Sequence, residues 1–252
     1  MFWSKILRFF SEDIAMDLGT ANTLLYTRDG GIIVNEPSVV AIDTRNNEVL
    51  AVGSEAKRAR GRTPKRIKTI RPMKSGVIAD FDTTSRMIVY FVNKAIGRSH
   101  LVKPSLVISV PTGITGVEKK AVIDAAATAG AGRVSLIEEP MAAAIGADLP
   151  VTEPVGTLIA DIGGGTSEVA VITMSAITVS QSIRIAGDAM NEILLRMLRD
   201  KYRLDVGENT AEHLKILLGS TQPVPDLPDY AEISGRDLVS GVPMTKKVTS
   251  ED

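Results

Sequence analysis

The chain has 252 residues, which suits one large or two modest domains, and 44 % of them are hydrophobic, enough for a substantial core. A net charge of −1 provides no global field for attracting nucleic acid. The absence of cysteine excludes disulfides and thiolate-bound metals. No apolar run approaches the ~18 residues of a membrane-spanning helix, and no signal peptide is evident.

The first ten residues are basic, aromatic-rich and amphipathic. On a helix, the large apolar side chains share one face, a pattern typical of segments that lie in a membrane interface. These side chains are Phe2, Trp3, Ile6, Leu7 and Phe10. The alternative is a helix docked on the protein's own core. A helix this short binds weakly, so anchoring would need several copies in an assembly.

Residues 13–26 predict a β-hairpin with a chemically distinctive turn. An apolar strand ends in Asp17, a Gly19-Thr20 turn follows, and a second apolar strand leaves. Three short strands are predicted next, at 32–34, 39–42 and 49–52. The stretch 57–74 is then strongly basic without any acidic residue. It fits the solvated face of a small subdomain, with anionic lipid or a protein partner as functional alternatives.

The middle of the chain alternates between strand and helix patterns, which indicates an α/β layer architecture. The predicted elements are a helix at 83–96, a strand at 105–110, a helix at 116–129, a strand at 134–137 and a helix at 138–147. Glu138, Glu139 and Pro140 open the last of these helices, and proline is well tolerated in a first turn.

A second hairpin is predicted around Asp161-Ile162-Gly163-Gly164-Gly165-Thr166. Three glycines let the backbone bend and bring bare N–H groups close to an anion such as phosphate. An aspartate at a strand end suits a hydrated magnesium ion. The turn is not a P-loop, because no Gly-Lys-Ser/Thr follows, and not a Rossmann turn, because a strand follows it.

The two hairpins share one pattern, which indicates an internal duplication. Two facing turns would clamp the phosphates of a single nucleotide, with Asp17 and Asp161 sharing a metal ion. The alternative is two unrelated β-turns. Beyond the second hairpin, the pattern predicts a strand at 178–185, helices at 189–202 and 208–218, and one or two final strands.

Both turns resemble the phosphate motifs of the actin, heat-shock chaperone and sugar-kinase superfamily. Further stretches are similar to the MreB family of bacterial actins, the rod-shape-determining proteins. The stretches that carry this resemblance are 17–23, 35–41, 61–64, 70–73 with 76–81, and 138–146. The resemblance implies an α/β, actin-like (ribonuclease H-like) two-lobed ATPase fold.

The resemblance also implies a domain organisation. It places the membrane anchor at 1–11 and a first lobe at 12–150, with a small insert at about 31–80. The second lobe would cover 151–252, with a partial core at about 151–182 and a helical subdomain at about 183–245. The last core segments of the family fold would follow residue 252.

The cofactors implied are ATP and Mg²⁺. Asp17 and Asp161 would orient the metal, Glu139 would position the attacking water, and Thr166 would assist. Backbone groups of Thr20, Ala21, Asn22, Gly163, Gly164 and Gly165 would hold the phosphates, and Glu212, His213, Leu214 and Lys215 would contact adenosine. The alternative for Glu139 is a helix N-terminal carboxylate that faces the dipole, and both roles are compatible.

The function implied is an ATP-dependent cytoskeletal filament protein that determines cell shape by organising the cell-wall elongation machinery. It would form paired protofilaments and lie in the cytoplasm, peripherally on the inner face of the cell membrane, without binding nucleic acid. Any ATPase activity would be weak and would serve polymer turnover. Leu101 and Val102 lie where relatives carry an apolar, membrane-touching loop.

Three alternatives remain at this stage. A metabolic kinase of the same superfamily would need a sugar-binding insert, and a chaperone ATPase would need a substrate-binding domain. The third alternative is a diverged or truncated protein with impaired ATP binding. It is supported by departures from the family pattern at Ala186, Asn191, His213 and Ile216.

Overall fold

The computed structural model describes residues 13–59, 64, 66–96, 103–222, 224–225 and 228–252. Contacts divide the chain into two compact units, with the boundary between Ala186 and Gly187. The predicted N-terminal anchor, Leu101 and Val102 lie outside the described residues. Among the helices that are described, none has the length and apolar character needed to cross a membrane.

The first unit contains thirteen strands and four helices within its described part. The strands are β1 (Asp13–Leu18), β2 (Asn22–Thr27), β3 (Gly31–Pro37), β4 (Val40–Asp43), β5 (Glu48–Val52), β6 (Ile67–Ile70), β7 (Met73–Lys74), β8 (Val77–Ile78), β9 (Ser105–Val110), β10 (Arg133–Glu138), β11 (Thr157–Ile162), β12 (Ser167–Thr173) and β13 (Ala176–Ile183). The helices are α1 (Ser54–Ala59), α2 (Phe81–Ile96), α3 (Gly116–Thr128) and α4 (Glu139–Gly146).

A five-stranded sheet in the order β10-β9-β1-β2-β3 forms the centre of this unit. β1, β2 and β3 form an antiparallel meander, and β9 and β10 extend the sheet in parallel beside β1. Alternation in β1 buries Ile14, Met16 and Leu18 on one face and leaves Asp17 on the other. The buried face packs in a core with Phe91 of α2, which is fully buried.

The second sheet repeats this meander in the order β11-β12-β13. β11 and β12 are antiparallel, with Ile162 opposite Ser167, so the turn between them spans 163–166. The first turn lies at the same place, after Leu18 pairs with Thr23. Both predicted hairpins are therefore confirmed, and the two meanders share one strand pattern, as the predicted duplication requires.

The second unit contains α5 (Gly187–Tyr202), β14 (Leu204–Asp205), α6 (Glu208–Leu218), β15 (Ala231–Asp237) and β16 (Pro243–Val248). Its sheet has the order β14-β15-β16, and an apolar core joins it to the two helices. Leu198, Leu204 and Leu214 are almost completely buried in that core.

Within the described residues, the helices and strands predicted from the sequence are present, with shifts of a few residues at their ends. Short elements were not predicted, namely α1, β6, β7, β8 and β14. The contacts place 151–186 in one unit with the preceding residues. They do not test a lobe boundary at 150/151, which stays a prediction.

Candidate functional site

The two predicted phosphate turns lie directly against each other. A Cβ atom built on Gly164 would be 2.7 Å from the Cβ of Ala21 and 3.1 Å from the Ala21 nitrogen. A Cβ on Gly165 would be 2.4 Å from the Thr20 hydroxyl. Such approaches are far below van der Waals separation, so only glycine permits the two turns to meet.

This contact revises the reason why the glycines are needed. The sequence predicted that they allow a sharp bend, but Gly163, Gly164 and Gly165 all lie outside the positive-φ region. Gly164 and Gly165 instead remove side-chain bulk where one backbone touches another. Gly76 does need both properties, because its φ is +77° and a Cβ would lie 2.8 Å from both Pro111 and Thr166.

Hydrogen bonds from two residues of the predicted insert at about 31–80 hold the first turn in place. The Ser38 hydroxyl donates to the carbonyl of Gly19 at 2.7 Å, and the Ser38 N–H donates to the carbonyl of Ala21 at 2.9 Å. The hydroxyl of Thr20 accepts from the N–H of Gly76 at 2.9 Å. These bonds fix the carbonyls and thereby the direction of the turn's N–H groups. No periodic pattern in the sequence marks Ser38 or Gly76 as site residues.

Asp17 and Asp161 are the next-to-last residues of the strands that lead into the two turns. Asp17 is solvent-accessible, yet crowding by protein atoms raises its pKa above the ordinary value. A hydrogen bond of 2.8 Å from the Ser109 hydroxyl opposes that shift, and the charge of Asp161 adds to it. The two carboxylates are therefore close enough to repel each other, and a cation between them would reduce that repulsion.

Glu139 belongs to the same cluster. It is the first residue of α4, directly after β10, and Pro140 occupies the first turn beside it. Burial raises its pKa to about 8, and the charges of Asp17, Glu168 and Asp161 act in the same direction. The structure thus brings Asp17, Asp161 and Glu139 together, as the sequence predicted.

Glu168 was missed by the sequence reasoning. It is 1 % exposed on β12, opposite Asp161, and its carboxylate accepts hydrogen bonds from Thr112. A signal was available, because a glutamate alternating with apolar residues in a strand is out of place unless it faces a polar site.

Magnesium fits the donor set of this cluster. Within the part of the chain that the structure describes, no three His, Cys, Asp or Glu side chains converge as a complete metal cage. Magnesium does not require one, since it keeps several waters and binds through one or two carboxylates plus substrate phosphates. Asp17 and Asp161 supply that number of carboxylates.

The residues predicted to contact adenosine lie on α6 in the second unit. Leu214 is buried in the core of that unit, whereas His213 is exposed. The ammonium group of Lys215 donates to the carbonyl of Gly187 at 3.2 Å. Their contact with adenosine stays a prediction.

A cavity of about 270 Å³ adjoins the second turn. Of the predicted site residues, Thr166 alone borders it, together with other hydroxyl-bearing residues such as Ser75 and Thr112. Asp17, Asp161 and Glu139 are not among its lining residues, so the carboxylate cluster lies outside this cavity.

Two further positions that depart from the family pattern are buried. Ala186 is 1 % exposed and Asn191 is 4 % exposed. The side-chain oxygen of Asn191 has no hydrogen-bond partner among the described residues. Nothing in its surroundings explains why asparagine is placed there.

The family model and the individual relatives that match this chain carry the same two names, MreB and Mbl. The family described as "MreB/Mbl protein" matches residues 11–252. "Cell shape-determining protein Mbl" of Bacillus cereus is 47 % identical over 243 residues, which cover 96 % of this chain and 73 % of that protein. "Cell shape-determining protein MreB" of Escherichia coli K12 is 47 % identical over 244 residues, covering 95 % and 70 %.

A solved structure agrees with these sequence relationships. MreB5 of Spiroplasma citri, whose crystal structures are described as bound to ADP and to AMPPNP, superimposes with a TM-score of 0.89 at 34 % identity. The match covers 96 % of this chain and 72 % of that one, which confirms the actin-like fold. The chain therefore belongs to the MreB/Mbl family of cell shape-determining, actin-like proteins.

Proposed function

We propose that this chain binds ATP with Mg²⁺ between its two glycine turns and hydrolyses it slowly, to control the turnover of a cell-shape-determining filament. The observation that carries the proposal is the direct contact of the turns at Gly164 and Ala21, with Asp17, Asp161 and Glu139 clustered beside them. Nucleotides described for Spiroplasma MreB5 support the ligand class.

The turns would bind phosphate through backbone N–H groups. Thr20, Ala21 and Asn22 would present the first set, and Gly164 and Gly165 the second. The Gly163 N–H, also predicted for this role, instead donates to the Thr166 carbonyl at 2.9 Å and closes the turn. Asp17 and Asp161 would hold the metal, which supplies charge neutralisation at the transferring phosphoryl group. Ser109 orients Asp17 for this task through its 2.8 Å hydrogen bond.

Glu139 would orient and deprotonate the attacking water, and Thr166, which is buried in the second turn, would assist. With a pKa of about 8, its protonated and ionised forms are both populated near neutral pH, which is the useful range for a general base. Its position at the start of α4 adds a favourable helix dipole for the ionised form.

The filament would lie on the cytoplasmic face of the cell membrane and consist of paired protofilaments that guide the wall-elongation machinery. Family membership supports self-assembly, and the aromatic, amphipathic pattern of Phe2, Trp3 and Phe10 supports membrane contact. Individual anchors of this length bind weakly, so assembly and membrane binding would reinforce each other.

Sedimentation tests this proposal. The chain is expected to pellet with Mg²⁺ and ATP, and to pellet with anionic liposomes at lower protein concentration. Asp161→Asn should lose nucleotide-dependent pelleting, whereas Phe2→Glu with Trp3→Glu should lose only the liposome effect. Absence of any ATP-dependent pelleting by the unsubstituted chain would contradict the filament function.

A further inference from the structure

A buried carboxylate joins the two sheets behind the phosphate turns. Glu168 is 1 % exposed, and both its carboxylate oxygens accept hydrogen bonds from one residue, Thr112. The Thr112 N–H donates at 3.0 and 3.3 Å, and its hydroxyl donates at 3.0 Å. An ionised group is costly to bury without such partners, so this contact is an integral part of the fold.

The two ends of this contact belong to different sheets. Thr112 follows β9, the strand that pairs with β1 and carries Ser109, the donor to Asp17. Glu168 lies at the start of β12, immediately after the second glycine turn. The hydrogen bonds therefore connect the strand beside the first turn to the strand that leaves the second.

The other contacts described between the turns are van der Waals contacts, which have little directional preference. Gly164 and Gly165 touch Ala21 and Thr20 through close packing. Packing limits how near the turns come but does not prevent them from separating. The hydrogen bonds to Glu168 do, because they are directional and breaking them would leave buried polar groups without partners.

We propose that Glu168 is a positioning residue for the nucleotide site: by accepting both donors of Thr112, it holds the two phosphate turns at a fixed separation. The proposal rests on the nucleotide function proposed above but assigns Glu168 no contact with the nucleotide. Separation matters because a misplacement of about 1 Å in a phosphate-transfer site costs on the order of a hundredfold in rate.

Three substitutions separate the effect of the Thr112 hydrogen bonds from the effect of the Glu168 charge. Glu168→Ala removes both. Glu168→Gln removes the charge but keeps one carbonyl oxygen, and Oε1 already accepts the Thr112 N–H and hydroxyl. Thr112→Val removes the hydroxyl donor and leaves the N–H. Glu153→Ala, at an exposed loop position in the same unit, is the matched control.

Hydrogen exchange by mass spectrometry on the nucleotide-free chain gives the first test. In Glu168→Ala, peptides covering 110–113, 18–23 and 162–167 should exchange about tenfold faster or more, because both Thr112 donors lose their buried acceptor. Glu168→Gln and Glu153→Ala should stay within about threefold of the unsubstituted chain. Unchanged exchange at both glycine turns in Glu168→Ala would overturn the proposal, as would equal acceleration in Glu168→Gln.

If Glu168→Ala does not fold, Thr112→Val decides the question. It should accelerate exchange at both glycine turns by a smaller factor, and unchanged turns would overturn the proposal.

Calorimetric titration with Mg²⁺ and ATP gives the second test. Glu168→Ala should bind about tenfold more weakly than the unsubstituted chain, and Glu168→Gln should restore most of that affinity. Equal affinities for Glu168→Ala and the unsubstituted chain would overturn the positioning role and leave the proposed function standing. If the unsubstituted chain binds no nucleotide, the proposed function fails, and the exchange comparison still decides the role of Glu168.

Discussion

At the scale of single residues, Glu139 shows how a site tunes a carboxylate. Burial raises its pKa to about 8, and three neighbouring carboxylates add to the effect. In the unfolded chain the group titrates at its ordinary pKa of 4.5. Between these two values the folded chain binds more protons than the unfolded chain, so the free energy of unfolding falls as pH rises.

Glu139→Gln should abolish this pH dependence. The nucleotide-free variant is expected to be more stable than the unsubstituted chain at pH 8, by on the order of 2 kcal/mol, because partial solvent contact reduces the full linkage value. At pH 4 the two should be nearly equal. Urea unfolding monitored at both pH values measures the difference. If Glu139→Gln were less stable than the unsubstituted chain at pH 8, the raised pKa of Glu139 would be contradicted.

Gly165→Ala should separate the phosphate turns. The added Cβ would meet the Gly76 nitrogen and the Ser75 Cα at 2.9 Å, and backbone atoms cannot move aside as a flexible side chain can. We expect a loss of about 1–3 kcal/mol in unfolding free energy, as for overpacked cores, and weaker nucleotide binding. Gly116→Ala is the matched control, since a Cβ there meets nothing within 4 Å. Equal stability of both variants would show that the turns can part freely.

At the scale of elements, α3 illustrates local determination. Thr115 and Glu118 form a capping box: the Thr115 hydroxyl accepts from the Glu118 N–H, and the Glu118 carboxylate accepts from the Thr115 N–H at 2.7 Å. Glu118 also pairs with Arg184 at 3.2 Å, but the arginine is 59 % exposed. Exposed ion pairs contribute little, so the cap should dominate.

Thr115→Ala is expected to lower the unfolding free energy by about 1 kcal/mol, the usual value of a lost N-cap. Arg184→Ala should change it by less than about 0.5 kcal/mol. Chemical denaturation of both variants checks the order. A larger effect for Arg184→Ala would mean that the ion pair, and not the cap, stabilises the start of α3.

The long elements were predictable because their apolar periodicity extends over several turns or pleats, as in α2 and β12. The elements that were missed have two to six residues, too few to establish a period, and tertiary contacts define them. The site residues also divide into those with a local sequence signal and those defined by tertiary contacts. Asp17 and Asp161 were predicted from motifs at strand ends, and Glu139 was predicted from the family resemblance. Ser38, Ser109 and Glu168 were not, since each acts through a partner distant in sequence.

At the scale of the whole molecule, one face of the second sheet exposes apolar side chains. Leu158 opposes Val171 on β12, which opposes Val179 on β13, so the three share a face. Leu158 is 67 % exposed and Val179 is 61 % exposed, and Ile162 on the same face is 66 % exposed. Contiguous apolar surface of this kind favours association in solution.

Leu158→Lys with Val179→Lys should therefore lower binding of an apolar dye such as ANS and raise the soluble fraction about twofold, because charge interrupts the patch. Tyr26→Lys, at an exposed position on the first sheet, is the control and should change both quantities less. Undiminished dye binding by the double variant would indicate that this face is covered in solution.

The proposed function requires that the two matching hairpins close on one metal-bound nucleotide. Calorimetric titration of Mg²⁺ and ATP into the chain and into its Asp17→Asn, Asp161→Asn and Asp124→Asn variants measures this binding. We expect one site whose binding depends on Mg²⁺, is lost in both aspartate variants at the turns and is retained in Asp124→Asn, at an exposed position on α3. Undiminished affinity in Asp17→Asn or Asp161→Asn would show that the hairpins do not hold the nucleotide together.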